Sequence, residues 1–497
     1  MKRAAVGRNR PGECRRGSRA TDRCPTHVPS AGSLSLPATE TFLSVMTAAA
    51  PVTQRRSATL AVLSLAQFLI ALDYSIIYIA LPSIAGDLGL APALAQWVIS
   101  AYAVLFAGFL VVGGRLSDRV GASRLFIAAI IMFGIASAVG GAAQDGTVLL
   151  AARAAQGLGA AMLQPAVLGL IGTTFPAGPE RSRALAVWGS VGASGLAAGA
   201  ILGGLLTTAS WRLTFYVNVP LTLLCALGAA VWVGADRESA PASRIPMLAS
   251  VLGTGTVLTL VLGLTLGSDR GWDAAPTLVC LGIALTLFAG FVRNERVSVT
   301  VLIEHVLRRT RSLRSGAVAT ALYMASVGSE FYLLTLLLQS MKGYTPFEAG
   351  LAFLPLAVMV TAGGTTAGRV VQRLGAGRAL VAGFAIATAG LFWLSLTLHG
   401  DSYAADLLPG LVLSGFGHGI IYTSMFIIGT HDVPPAHQGT AGALLTTSQY
   451  LSGAVTVAVL TLTLGISPDY ASFRIAFLLT TAAAAAGMVL AATRRAG

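Results

Sequence analysis

The sequence has little charge. Only 11% of its 497 residues are Asp, Glu, Lys or Arg, whereas a soluble domain carries about 25%. This deficit runs along the whole chain after residue 57, and the mean hydropathy is +0.75. So much apolar surface must face lipid, which excludes an ordinary soluble enzyme of this length.

Cysteine is also scarce. Cys14 and Cys24 lie near the start of the chain, and Cys225 and Cys280 lie inside apolar runs. These positions indicate neither a metal site nor a disulfide framework. The sequence contains no loop of the G-x-x-x-x-G-K-[ST] type, so ATP hydrolysis is not expected as an energy source. We therefore predict no cofactor and no metal.

The net charge of +13 does not indicate a nucleic-acid partner. Lys and Arg occur in short clusters between apolar runs, as they do in the loops of membrane proteins. Residues 1–56 differ from the rest and are rich in Arg, Pro, Ser and Thr. We interpret this leader as disordered, or as an over-extended translation start with the true start near Met46.

A membrane-spanning helix needs about 20 mainly apolar residues. Runs of this length predict fourteen spans, with alternate connections rich in Lys and Arg, so both termini are expected on the cytoplasmic side of the cell membrane. The predicted spans are 58–82, 95–113, 125–143, 147–173, 184–208, 213–234, 246–267, 274–292, 313–340, 349–368, 379–398, 405–429, 439–465 and 471–493.

An internal repeat indicates the architecture. GRLSDRVGASR (114–124) recurs as GRVVQRLGAGR (368–378), identical at six of eleven positions. Each copy follows the second helix of a presumed half, which predicts an all-α membrane protein with two six-helix halves and two extra helices between them. The halves are expected to enclose a substrate site near the membrane midplane. The predicted segments are the leader 1–56, the halves 57–234 and 313–497, and the extra helices with a cytoplasmic linker at 235–312.

Four segments resemble the major facilitator superfamily, specifically its fourteen-helix drug–proton antiporter branch, and the likeness extends over roughly residues 57–495. The segments are GRLSDRVGASR, RAAQGLGAAMLQP (153–165), LDYSIIYIALPSI (72–84) and WRLTFYVNVP (211–220). Two departures stand out. Gly199-Ala200 replaces the Gly-Pro pair of the antiporter motif, and Ser75 and Tyr78 stand where the branch usually has Thr and Asn.

The resemblance implies proton-coupled efflux of a drug or natural product by alternating access, with an amphipathic small molecule, protons and membrane lipids as partners. The expected state is a monomer. An alternative within transport is a facilitator or importer of a small polar solute. A membrane-embedded enzyme would need a local cluster of acids or a nucleophile–base pair, and the sequence shows none.

Ionisable groups inside membrane spans are costly, so each is a candidate functional residue. Asp73 and Arg153 lie at compatible depths at a rise of about 1.5 Å per residue, and we expect them to interact. Asp73 would take and release protons as its surroundings change. The alternative is a permanent ion pair that fixes helix packing.

Glu330 is the one acidic residue embedded in the second half. It suits a cationic substrate or a second proton site, although outward snorkelling or a hydrogen bond to a neighbouring helix would also explain it. His418, between two glycines, suits packing at least as well as a proton relay. The side chains predicted to contact substrate are Gln67, Tyr74, Gln156, Glu330 and Tyr332.

The loop of the first repeat copy is predicted to act as a conformational latch. Asp118 would bind basic side chains or helix N-terminal amides in one state only, and the alternative is a solvated loop. The matching residue of the second copy is Gln372, so a latch would be asymmetric. The predicted latch residues are Gly114, Arg115, Asp118, Arg119, Gly121 and Arg124.

Three glycines recur every four residues in the fifth span, at Gly195, Gly199 and Gly203. Small residues at this spacing allow helix backbones to approach closely. This face is expected either to slide during transport or simply to pack.

Overall fold

The structure, a computed structural model, describes residues 52–90, 92–234, 246–298, 301–465 and 468–493. Most of the predicted leader lies outside these residues. The described part of the chain is helical and contains no strand. Its long helices are α1 (Val52–Asp87), α2 (Pro92–Val120), α3 (Ala122–Ala142), α4 (Gly146–Thr174), α5 (Pro179–Ala209), α6 (Asn218–Trp232), α7 (Met247–Arg270), α8 (Ala275–Val297), α9 (Arg311–Leu336), α10 (Leu354–Leu374), α11 (Ala376–Thr397), α12 (Leu408–Thr430), α13 (Gln438–Leu464) and α14 (Tyr470–Thr493).

Six short helical segments lie next to five of these helices. They are Leu213–Tyr216 before α6, His305–Arg309 before α9, a π-helical turn Leu337–Met341 after α9, Pro346–Ala352 before α10, a π-helical turn Tyr403–Leu407 before α12 and a 3-10 turn Pro435–His437 before α13.

These helices confirm the predicted fourteen spans. Within the described residues, 13 helices are long and apolar enough to cross a membrane, and α5 makes a fourteenth if its two parts form one span. α5 is bent by 41° between Leu196 and Ile201. This stretch contains no proline, so the bend lies where Gly199 weakens the helix rather than at the Gly-Pro pair of the antiporter motif.

The two repeat copies make the same turn. Gly121 separates α2 from α3 with φ 106°, and Gly375 separates α10 from α11 with φ 81°. Positive φ angles of this size favour glycine, because other residues meet steric conflict there. The equivalent glycines of the repeat therefore break the chain at equivalent positions in the two halves.

Helices α1–α6 pack together, α9–α14 pack together, and the two halves meet along two seams, α2 with α13 and α5 with α10. The first glycine of each repeat copy lies at a seam. A Cβ on Gly114 would lie 2.6 Å from the Cβ of Ala443, and a Cβ on Gly368 would lie 3.6 Å from that of Ala186. The first copy thus supplies a close contact on one seam, and the second copy lies in ordinary van der Waals contact on the other.

The extra helices α7 and α8 pack on each other, and α7 also contacts α2 and α13. Gly108 of α2 allows the side chain of Leu258 to approach its backbone. The pair therefore covers the α2–α13 seam. Most of α8 is exposed, including the apolar side chains of Leu278, Val279 and Leu285, as expected for a surface that faces lipid.

The glycine-rich face of α5 packs against α1 of the same half. Gly195 lies against Phe68 and Ala71, and Gly203 lies against Ile76. The contact of α5 with the other half uses a different face, where Ser190 lies next to Gly364 of α10. The three glycines thus allow close packing within one half, and the face of α5 that meets the other half is not theirs.

We predict that Gly199→Ala destabilises the protein. The added Cβ would lie 2.7 Å from the carbonyl oxygen of Leu72, next to the hydroxyl of Ser75, and overpacking of this kind costs about 1–3 kcal/mol. Thermal unfolding of the purified protein in detergent should give a lower Tm. Gly282→Ala is the control, because a Cβ there meets no atom within 4 Å. Equal Tm values for the two variants would contradict the packing.

Candidate functional site

An ion pair lies inside the first half. Asp73 of α1 accepts a hydrogen bond from Arg153 of α4, with Nη1 2.7 Å from Oδ2. Each residue is only 1% exposed. The two helices thus carry opposite charges to the same depth, as their positions in the sequence predict.

The second oxygen of Asp73 is also bound. Its Oδ1 accepts from Gln156 Nε2 at 2.9 Å and from Asn218 Nδ2 at 2.8 Å. Gln156 Nε2 also donates to Ser137 Oγ at 2.8 Å. Neither Asn218 of α6 nor Ser137 of α3 was predicted from the sequence, which shows no local signal for either.

Arg153 has three further contacts. Its Nε donates to the carbonyl of Val98 at 2.9 Å, and its Nη1 donates to Gln156 Oε1, also at 2.9 Å. Its guanidinium carbon lies 4.5 Å from the ring centroid of Tyr102 on α2, a distance typical of a cation–π interaction. The ion-pair network, comprising Asp73, Ser137, Arg153, Gln156 and Asn218, therefore connects α1, α2, α3, α4 and α6.

This arrangement stabilises a charged carboxylate. Two charges removed from water repay their desolvation only when geometry and hydrogen bonding are both good, and both conditions hold around Asp73. Proton uptake by Asp73 would weaken the pair with Arg153. The geometry agrees with a fixed packing element and equally with a proton site that opens in another conformation.

The other predicted substrate residues lie in different surroundings. Tyr74 accepts a 3.3 Å hydrogen bond from the hydroxyl of Tyr78. Gln67 is buried, and its Oε1 has no hydrogen-bond partner among the described residues. Gln156 belongs to the ion-pair network, while Tyr332 bonds to Thr461 Oγ1 at 3.0 Å within the second half. Among the described residues, no hydrogen bond or ring contact joins Gln67, Tyr74 and Tyr332 to one another.

Glu330 of α9 is fully buried inside the second half. Its Oε1 accepts from Ser414 Oγ of α12 at 2.5 Å, and its Oε2 lies 3.4 Å from Nδ1 of His418. Of the readings that the sequence left open, outward snorkelling is wrong, because the side chain has no exposed surface. The sequence placed Glu330 and His418 on separate spans, and only the packing of α9 on α12 brings them together.

Asp118 binds the start of α13. This contact lies at the end of the bundle that contains the α2–α3 connection, which we call the basic end because Arg115, Arg119 and Arg124 lie there. Its carboxylate accepts from the backbone N–H groups of Gly439 and Thr440, each at 2.9 Å, and from Thr440 Oγ1 at 2.5 Å. Since α13 starts at Gln438, these are the unsatisfied amides of its first turn. Basic side chains and helix N-terminal amides were the two predicted kinds of partner for Asp118, and it binds the amides.

Arg115 binds the segment between α8 and α9. It donates to Glu304 Oε1 at 2.5 Å and to the carbonyl of Val301 at 3.1 Å. Glu304 Oε2 also lies 3.3 Å from His437 Nε2, just before α13. Glu304 thus links α2 of one half to the start of α13 in the other, a role that the sequence did not reveal.

The remaining latch residues differ in exposure and position. Arg119 is half-buried and Arg124 is exposed, while Gly121 forms the turn between α2 and α3. In the second copy Gln372 is exposed. Of the two repeat copies, only the first therefore places a carboxylate at a helix N-terminus, and this contact lies on the α2–α13 seam.

Two related six-helix halves with ionisable groups buried in each define a multi-pass membrane protein with the architecture of a secondary transporter. The family profile described as Major Facilitator Superfamily matches residues 63–457. The chain belongs to this superfamily.

Several export and resistance proteins are similar to this chain. The cephamycin export protein CmcT of Amycolatopsis lactamdurans is 36% identical over 399 residues, which cover 80% of this chain and 82% of that protein. The puromycin resistance protein pur8 of Streptomyces alboniger is 35% identical over 417 residues, with 83% and 82% covered.

The fold is similar to that of solved transporters. The human organic anion transporter MFSD10 has a TM-score of 0.65 at 16% identity, with 88% of this chain and 99% of that chain covered. The proton:xylose symporter XylE has a TM-score of 0.62 at 14% identity, with 88% and 95% covered. At such identities the likeness concerns the fold alone.

We predict that Arg153→Met destabilises the protein strongly. The substitution leaves Asp73 buried without its cation, and the loss of one partner from a buried ion pair costs about 3–5 kcal/mol. Thermal unfolding in detergent should show a large decrease in Tm. Asp73→Asn added to Arg153→Met should restore part of the loss, because the amide can still accept from Gln156 and Asn218. A double variant no more stable than Arg153→Met would contradict the pairing.

Proposed function

We propose that this protein exports an amphipathic drug or natural product in exchange for protons, by alternating access across the cell membrane. The observation that carries the proposal is the similarity to a cephamycin export protein and a puromycin resistance protein, which extends over about four fifths of each chain. A facilitator or importer of a polar solute is not favoured, because the relatives named above are exporters or resistance proteins.

The basic end is assigned to the cytoplasm, with both termini on that side. Cytoplasmic loops and the helix ends next to them carry an excess of Lys and Arg. The last turns of α2 contain Arg115 and Arg119, and the segment before α9 contains Arg308 and Arg309. The functional unit is proposed to be a monomer, since one chain contains both halves and both seams.

Proton coupling is assigned to Asp73 and Arg153. Asp73 accepts hydrogen bonds from three donors in this conformation. A movement that separated α4 or α6 from α1 would remove donors and favour proton binding, because hydrogen bonds to the charged form are what hold the proton off. Proton uptake would then depend on conformation, as antiport requires.

The latch is assigned to Asp118 and the first turn of α13. A carboxylate at a helix N-terminus is stabilised by the amides and by the helix dipole. Asp118 belongs to the first half and α13 to the second. The contact therefore holds the basic end closed and must break when that end opens. Arg115 and Glu304 add a second link across the same seam.

Substrate contact is proposed for the side chains of Gln67, Tyr74 and Tyr332, with Gln156 and Glu330 next to the proton sites. A small number of polar groups among apolar helices suits an amphipathic molecule.

We predict that expression in an efflux-deficient bacterial host raises resistance to at least one compound in a panel of puromycin, a cephamycin and ethidium, and that an uncoupler abolishes ethidium efflux. Asp73→Asn should lower both to the level of empty vector, because the variant loses the titratable group. Asp87→Asn, in the same helix but half-exposed and paired with Arg212 at the surface, is the control and should retain transport. Export by Asp73→Asn that stays at the wild-type level and is still abolished by the uncoupler would contradict the coupling role.

We also predict that Asp118→Ala opens the basic end. Hydrogen bonds to a charged group are worth about 1.5–3 kcal/mol each, and the variant removes three. In protein without its native cysteines, a cysteine at Ser117, which is buried beside Gly439, should react with a water-soluble maleimide about tenfold faster or more, since 1.4 kcal/mol corresponds to tenfold. Gln372→Ala, at the matching exposed position, should leave the rate unchanged. Equal rates with and without Asp118 would rule out a latch.

A further inference from the structure

Glu330 and His418 form a second buried ionisable pair, remote from the ion-pair network. Both side chains have 0% exposure. One belongs to α9 and the other to α12, and the two helices pack directly on each other. A buried titratable pair in the half that lacks the Asp73–Arg153 pair calls for a physical explanation.

The atoms of the pair that face each other are unsatisfied. Glu330 Oε2 and both ring nitrogens of His418 have no hydrogen-bond partner among the described residues. Oε2 lies 3.4 Å from Nδ1 of His418, while the other carboxyl oxygen, Oε1, is bound to Ser414 Oγ. A single proton placed between Oε2 and Nδ1 would satisfy both atoms.

The titratable neighbours of the pair are tyrosines. The ring of Tyr323 on α9 lies 5.8 Å from that of His418 and 5.6 Å from that of Tyr422 on α12. Tyr450 of α13 interacts electrostatically with both tyrosines.

Among the described residues, no charged side chain of the surrounding helices pairs with Glu330 or His418. α10 and α11 approach this part of α12 through glycines, among them Gly363 and Gly383. Apart from Glu330 itself, the charged residues of α5, α9, α10, α11 and α14 lie within two turns of a helix end: Glu180, Arg181, Arg183, Arg311, Arg314, Arg369, Arg373, Arg378 and Arg474.

The charge balance then limits the states of the pair. With one proton, the pair is either neutral or an internal ion pair, and its net charge is zero in both cases. Without that proton, a carboxylate remains in an apolar interior with one hydroxyl donor, which is strongly unfavourable. Loss of the proton is therefore expected only when the site gains contact with water.

We propose that Glu330 and His418 together form a proton-binding site that holds one exchangeable proton. The proton moves between Oε2–H···Nδ1 and Oε2···H–Nδ1, and it leaves to water when the second half opens. This inference rests on the proposed antiport function and adds to it a second proton site, in the half opposite Asp73. Since the two groups share the proton, they titrate as a unit.

The test is infrared difference spectroscopy of the purified protein in lipid nanodiscs across a pH titration, which needs no substrate. The wild type should show the C=O band of a protonated carboxyl group that disappears as pH rises, and Glu330→Gln should remove this band. A titrating band that is unchanged in Glu330→Gln would overturn the proposal, because Glu330 would then hold no proton.

Two variants test whether Glu330 and His418 share the proton, and we expect them to shift the pH at which the band disappears in opposite directions. His418→Gln replaces the acceptor with an amide that donates to the carboxylate, so the band should disappear at lower pH, with a proton affinity about tenfold lower or more. Ser414→Ala removes a donor to the carboxylate, so the band should persist to higher pH. His399→Gln is the control, since His399 lies against Tyr470 away from the site, and it should change nothing.

An unchanged midpoint in His418→Gln, with Ser414→Ala shifted as expected, would reduce His418 to a packing residue and overturn the shared site. If His418→Gln does not fold, Ser414→Ala provides the test. An upward shift in the pH at which the Glu330 band disappears supports the proposed site, and a downward or absent shift overturns it. Because the band is measured without transport, failure of this site is distinct from failure of the export assay.

Discussion

The buried ion pair between Asp73 and Arg153 constrains the whole first half. Its hydrogen bonds reach α1, α2, α3, α4 and α6, so one network in the interior holds five of the six helices in register. Separation of any of these helices would leave a charge or an amide unpaired in an apolar interior, which is costly. The half is thereby disposed to move as a unit, and movement is concentrated where the two halves meet.

Both seams bring helices of the two halves close together, but they differ in the polar contacts that join the halves. Gly114 and Gly368 occupy equivalent positions in the repeat and lie at equivalent seams. Only the first copy adds a carboxylate on a helix N-terminus, through Asp118, and a bridge through Glu304. The duplication therefore supplies a symmetric framework, and among the described residues these carboxylate contacts are added on the α2–α13 seam alone of the two.

The sequence predicts the framework well, because lipid demands long apolar helices and the repeat marks the two halves. It also predicts that Asp73 and Arg153 lie at one depth, since helical rise fixes depth. It does not predict Asn218 or Ser137 as their partners, because rotation about each helix axis depends on packing. Glu330 and His418 were both noticed, but nothing along the chain reveals that α9 and α12 place them 3.4 Å apart.

The path of the segment after α8 was likewise beyond the sequence. Glu304 is one acidic residue in a linker, and its contacts with Arg115 and His437 depend on how that linker folds back over the bundle. The short-range rules that find helices and turns carry no information about such a crossing.

The position of α7 and α8 makes the surroundings of the two seams unequal. One seam is bordered by protein, since α7 packs on both α2 and α13, whereas among the described residues neither extra helix packs extensively on α5 or α10 at the other. Rocking of the halves must then shear a helix pair on one flank and displace only acyl chains on the opposite flank. The resistance to motion is accordingly one-sided, so the hinge axis of the molecule should be displaced towards the extra helices.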